Sequence, residues 1–81
     1  MAQVTVYTKN GCPQCNMTKS VLEGEGIEFK AINIEGDKDH EKEAYNFIVN
    51  ELGYRSMPVV IKEGHDHILG FNPEKLKELK G

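Results

Sequence analysis

The sequence predicts an α/β fold in which a four-stranded mixed sheet, reached in the order βαβαββα, is flanked by three helices. Three observations predict it. Runs rich in β-branched and aromatic residues alternate with stretches whose apolar residues recur at helical spacing. Glycine and proline punctuate nearly every change of period. The first half reads strand–helix–strand, which demands parallel strands and a right-handed crossover, whereas the second half adds a hairpin and a closing helix.

The first strand is Gln-Val-Thr-Val-Tyr-Thr at 3–8, followed by a turn at Lys9-Asn10-Gly11. From Cys12 the period changes. Met17, Val21 and Leu22, with Thr18 beside them, share a helical face that Gly24 and Gly26 end. Pro13 suits the first helical position, where its missing N–H costs nothing, and this leaves Cys12 at the N-cap. Ile27, Phe29 and Ala31 alternate and Ile32 and Ile34 extend them, giving a second strand over 27–34 that Gly36-Asp37 breaks. Ala44, Phe47, Ile48 and Leu52 return to helical spacing until Gly53 stops them. Pro58-Val59-Val60-Ile61 is a short buried strand, and Glu63-Gly64 turns it into His67-Ile68-Leu69. Asn72-Pro73-Glu74 then supplies an N-cap, a first-position proline and a first-turn acid. Leu76 and Leu79 follow on one face, with Lys77 and Lys80 near the helix C-terminus.

Eighty-one residues make one small domain, read here as 1–81. A formal charge of −3 argues against binding a nucleic-acid backbone. The acids sit mostly in 35–43 and 74–78 and read as solvated helix surface. No apolar run approaches the length of a membrane span, and the chain enters its first strand with no charged leader or cleavage site. The expectation is a soluble cytoplasmic protein, with no nucleic-acid or membrane partner, in a compartment that keeps thiols reduced.

Cys12 and Cys15 are the only two cysteines. The loop between them is too short for a cross-link to remove much chain entropy, so stapling explains the pair poorly. Chemistry explains it better. At a helix start the free N–H groups and the dipole favour a thiolate, and helix-N-terminal cysteines in C-x-x-C motifs ionise well below the free value of about 8.5. Lys9, three residues upstream, adds positive field. Cys15 lies one turn on, within reach of the first sulfur. The hypothesis is that Cys12 attacks a substrate disulfide and Cys15 resolves the mixed disulfide, with Pro13 and Gln14 inside the motif tuning its potential.

Zinc is the competing use of these thiols. His65 and His67 would share a strand side, and two Cys with two His form a valid tetrahedral set. Their spacing is shorter than that of a zinc finger and they flank a polar hairpin tip, so solvated turn histidines are the preferred reading, with no metal bound; His40 reads as solvated too.

Arg55-Ser56-Met57-Pro58 is the second informative stretch. A proline opening a strand marks a special conformation, either a cis Met57–Pro58 bond or an ordinary trans proline at a strand edge. In the cis form, placed beside the cysteines, the Met57 backbone is free to pair with an extended substrate segment.

Together, V-T-V-Y-T-x-x-x-C-P-Q-C at 4–15 and M-P-V-V at 57–60 resemble the thioredoxin-fold superfamily, and within it the glutaredoxin-like branch, over essentially the whole chain. The resemblance implies a nucleophilic Cys12, a resolving Cys15 and a cis Pro58 facing them. Glutathione-dependent glutaredoxins usually follow the last strand with a Gly-Gly-x-x-Asp-Asp-like segment. Here Leu69-Gly70-Phe71-Asn72-Pro73-Glu74 stands in its place. That is similar to the NrdH-redoxins, which typically carry Trp-Ser-Gly-Phe-Arg-Pro-Asp. Gly70, Phe71 and Pro73 match, as does G-Y-R-S-M-P-V-V at 53–60, while Ile68 replaces the Trp and Asn72 the Arg. These departures bear on partner docking, since the cysteine motif is intact.

The resemblance further implies a monomer with no bound cofactor beyond the redox-active Cys12–Cys15 disulfide. Its electrons come from thioredoxin reductase, ultimately NADPH, and go to the class Ib ribonucleotide reductase. Arg55, Gly70 and Phe71 are the docking candidates; Phe71 is equally a hydrophobic staple on the last helix, and Arg55 is more often a solvated surface residue than a contact. Tyr7, ending the first strand, either packs beside the cysteines or fills core. The alternatives are a glutathione-coupled glutaredoxin and a cysteine-based metal or iron–sulfur carrier.

Overall fold

Valine at 4 and 6 and threonine at 8 put every second side chain of β1 (Val4–Thr8) on one face of a strand whose other face is half-buried by Thr5 and Tyr7. A strand covered on both faces belongs in the middle of a sheet. The computed structural model, which describes residues 3–80, places it there; the outermost residues of the expected 1–81 domain lie outside that range. The sheet runs β2-β1-β3-β4. β2 (Phe29–Asn33) lies parallel to β1, with Val4 opposite Phe29. β3 (Val59–Lys62) lies antiparallel on the other side, with Val6 opposite Val60, and β4 (Ile68–Leu69) closes the hairpin.

The three helices, α1 (Pro13–Gly24), α2 (Asp39–Tyr45) and α3 (Pro73–Lys77), divide between the two faces. α1 and α3 cover one, where Val4, Val6, Leu22, Val60, Ile68, Leu76 and Leu79 form an all-aliphatic cluster. α2 and the segment after it cover the other, where Ile34, Ala44, Ile48, Met57 and Val59 pack with both cysteines. The element order and the mixed sheet agree with the expectation from sequence.

Three local expectations are corrected. The buried stripe of α1 is Cys15, Thr18 and Leu22, while Met17 is 44 % exposed. Facing is set by the angle to the sheet, and that angle selects a threonine over the more apolar methionine. β2 is shorter than 27–34, and Ala31 is exposed because this is an edge strand covered only in part. Its pairing nonetheless continues one bond further, Ile34 N–H donating to the Thr8 carbonyl at 2.9 Å. The helix through Ala44 and Leu52 is not uniform: after Tyr45 it widens into a π-helical segment, Asn46–Glu51, in which Leu52 N–H reaches the Phe47 carbonyl at 3.0 Å. The wider turn keeps Ile48 buried and leaves Phe47 partly outside, against Tyr7.

Candidate functional site

β1 and β2 are parallel, so the loops leaving both strands emerge at the same end of the sheet, the end where open α/β sheets build their sites. The loop after β1 carries Lys9, Asn10 and Gly11 into Cys12. Gly11 takes φ 63°, a left-handed turn that suits glycine, with open space around it. Two hydrogen bonds of 2.8 Å tie this loop to the end of β2, Asn10 N–H to Glu35 Oε1 and Asn33 Nδ2 to Asn10 Oδ1, and a third of the same length, Glu35 N–H to Asn33 Oδ1, braces that end itself. The approach to Cys12 is thereby fixed from outside α1.

Cys12 is the N-cap, in extended conformation, and Pro13 follows at the first helical position. The Cys12 carbonyl accepts the Asn16 N–H at 3.3 Å, and its Sγ accepts the Cys15 N–H at 3.1 Å. The two cysteines form a disulfide, their Cα atoms 5.3 Å apart. Cys12 is 9 % exposed and Cys15 2 %. Pro13 and Gln14 between them are exposed. No acidic residue occupies the first turn of α1, so no side chain of that turn neutralises the positive end of its dipole.

Met57 packs in the same cluster as both cysteines, and the Met57–Pro58 bond is cis. The Pro58 carbonyl accepts the Gly70 N–H at 2.9 Å, which holds the start of the 70–73 segment against it. Tyr7 is half-buried on this cluster, its ring centroid 6.4 Å from that of Phe47, and burial pushes its phenol pKa above the usual 10.0. Phe71 lies on the other face, packed against the aliphatic cluster next to the Asn72 cap, in the position of a staple to Leu76.

A surface pocket of about 200 Å³ sits beside Met57, bounded by Lys9 and Arg55, by Glu35, and by Tyr45 and Val49. The first two were legible as candidates. Glu35, Tyr45 and Val49 were missed, although the shared end of two parallel strands points to residue 35, and only the π-helical segment explains 45 and 49. The histidines considered for zinc are engaged elsewhere. His67 Nδ1 shares a 2.9 Å hydrogen bond with the Tyr54 hydroxyl, and His65 Nδ1 donates to the Asp66 carbonyl. Among the described residues no three His, Cys, Asp or Glu side chains converge.

Comparisons with known proteins point one way. Residues 4–68 match the glutaredoxin family model. The chain is 40 % identical over 78 residues to the gene 56 protein of Mycobacterium phage L5, covering 96 % of this chain and 72 % of that one. It is 40 % identical over 76 residues to the glutaredoxin-like protein NrdH of Lactococcus lactis, covering 94 % and 97 %. Among solved structures, the Escherichia coli NrdH-redoxin, described as having a thioredoxin-like activity profile, superposes with a TM-score of 0.79. Identity there is 36 %, with 95 % of this chain and 93 % of that one covered.

Proposed function

This chain belongs to the glutaredoxin family of thiol–disulfide oxidoreductases, and from that premise we propose that it is an NrdH-type redoxin. In this reading it takes electrons from thioredoxin reductase, ultimately NADPH, and passes them to the class Ib ribonucleotide reductase, as a single-domain monomer in the cytoplasm. No described helix is long and apolar enough to cross a membrane.

The observation that carries the reading is the Cys12 sulfur at the cap of α1, accepting the Cys15 N–H and bonded to the Cys15 sulfur, beside Met57 and the cis proline. Once reduced, Cys12 faces an unneutralised helix end, which favours its thiolate. That thiolate attacks one sulfur of a substrate disulfide; the new bond joins Cys12 to substrate, and the other substrate sulfur leaves as a thiolate and takes a proton. Cys15 then attacks Cys12 Sγ, the 12–15 bond forms, the mixed disulfide breaks, and the substrate has gained two electrons. Exposure supports the assignment of roles, because Cys12 is the less enclosed residue of the two. Lys9, Pro13 and Gln14 frame the nucleophile, and the Met57 backbone pairs with the substrate segment. Arg55 and Gly70 line its approach, and Phe71 acts through the placement of the 70–73 segment.

One observation favours a glutathione-coupled alternative. The pocket holding Lys9 and Arg55 over an apolar floor suits a small thiol bearing carboxylates. Against it stands Leu69-Gly70-Phe71-Asn72-Pro73-Glu74, where a glutathione-dependent relative would place its acidic pair. One assay separates the two: NADPH consumption with a disulfide substrate, using either thioredoxin reductase or glutathione and its reductase. Turnover with thioredoxin reductase is expected. Efficient turnover with glutathione alone would overturn the NrdH-type reading.

A further inference from the structure

Thr18 lies one turn after Cys15 on the buried stripe of α1 and is wholly inaccessible. Its Oγ1 is the one buried side-chain oxygen or nitrogen among the described residues with no hydrogen-bond partner. A helical threonine ordinarily satisfies itself on the carbonyl four residues back, here Gln14, and this one does not. Valine would fill the same shape without an unmet hydroxyl, so in the oxidised protein the hydroxyl is a net cost.

The cysteines are bonded in this structure. A disulfide sulfur is uncharged and a weak acceptor. When the bond opens, Cys15 becomes a thiol or thiolate that is 2 % exposed and cut off from water. Apart from Cys12, the sulfur it attacks, the buried members of its cluster, Ile34, Ala44, Ile48, Met57 and Val59, offer no side-chain donor. Side chains on a helix lean back over the preceding turn, which directs Thr18 toward Cys15. Two groups that each lack a partner thus become neighbours in need of one another in the same redox state.

We infer that Thr18 is a positioning residue for the resolving cysteine: in the reduced and mixed-disulfide states its Oγ1–H donates to Cys15 Sγ. This deepens the redoxin reading and rests on it. Thr18 transfers no proton. It holds the Cys15 sulfur as that sulfur attacks Cys12 Sγ: the 12–15 bond forms, the bond from Cys12 to the substrate breaks, and the substrate sulfur leaves as a thiolate that takes the proton Cys15 gives up. The device stabilises the dithiol over the disulfide.

The test equilibrates the full chain, and its Thr18→Val and Thr18→Ser variants, with a reduced and oxidised glutathione buffer and reads the fraction reduced by alkylation. Thr18→Val is expected to shift the equilibrium about tenfold toward the disulfide, roughly 30 mV more negative, and Thr18→Ser to restore it. Thr18→Ala, which also removes the hydroxyl, must shift it the same way if the valine variant folds poorly. Melting of both redox forms adds a second reading: a packing role moves them together, and equal movement would overturn the inference. So would a Thr18→Val equilibrium unchanged from the parent, or a shift seen only in Tyr7→Phe, which would assign the donor to the half-buried phenol. A chain whose cysteines never cycle in the buffer would sink the redoxin reading itself.

Discussion

Helices α1 and α3 begin with the same local grammar and put it to different ends. Each has proline at its first position, and each is capped by a side chain that accepts the N–H three residues on: Cys12 Sγ from Cys15 at 3.1 Å, Asn72 Oδ1 from Lys75 at 3.2 Å. At α3 the cap is an amide oxygen and Glu74 sits in the first turn, so the positive helix end is met twice. At α1 the cap is a sulfur, the first turn has no acid, and the cap atom is shut into an apolar cluster. A helix start met by an acid is stabilised by it; one capped by an uncharged sulfur alone keeps its field for whatever charge the sulfur takes on. The chemistry of this fold is a capping motif with one atom changed and its counter-charge left out.

The largest test of that comparison is Cys12→Ser. Serine is among the preferred N-caps, so α1 should still start where it does and the variant should fold. Turnover of a disulfide substrate should fall to background, because the hydroxyl cannot carry the exchange. Circular dichroism alongside the reductase assay checks both halves; a folded variant that retained turnover would break the contrast between the two caps.

Next in size is Leu22→Ala. Leu22 is fully buried at the far end of the α1 stripe, in the aliphatic cluster with Leu76 and Leu79. Its truncation should cost roughly 2–5 kcal/mol, a large part of the stability of a small domain. Because this cluster contains neither sulfur, both redox forms should lose the same amount in denaturant titrations. A loss confined to one form would show that the body of α1, and not only its first turn, is coupled to the chemistry.

What could be read from sequence follows the same division. The starts of α1 and α3 were legible to the residue because Cys12-Pro13 and Asn72-Pro73 act locally, through a fixed φ and a missing donor. The element order and the mixed sheet were legible because a βαβ unit leaves few arrangements. The burial of Thr18 over Met17, the π-helical widening after Tyr45 and the Asn10–Asn33–Glu35 clamp were not. Each depends on contacts between segments distant in the chain, which periodicity does not encode. Cys12 and Cys15 were singled out by their spacing at a helix start and a cis Pro58 by the family resemblance, whereas the residue 35, 45 and 49 side of the pocket needed the parallel register of β1 and β2.

The smallest expected effect falls on the other cap. Asn72→Ala removes the acceptor for the Lys75 N–H and should lower stability by about 1 kcal/mol, in the usual range for a lost N-cap. The rest of α3 stays anchored: Leu76 and Leu79 remain in the aliphatic cluster, and Lys62 Nζ still donates to the Leu79 carbonyl at 2.8 Å. Phe71, packed on the same cluster just before the cap, keeps the entry angle of the chain. The glutathione equilibrium of the cysteines should not move, since the cluster into which α3 packs contains neither sulfur. Equilibrium unfolding of the oxidised and reduced forms measures the first quantity, and the redox titration the second. A shift in the redox equilibrium would mean that the 70–73 segment, tied to the Pro58 carbonyl through Gly70, transmits the state of α3 to the site, and the two helix starts would then be one coupled device.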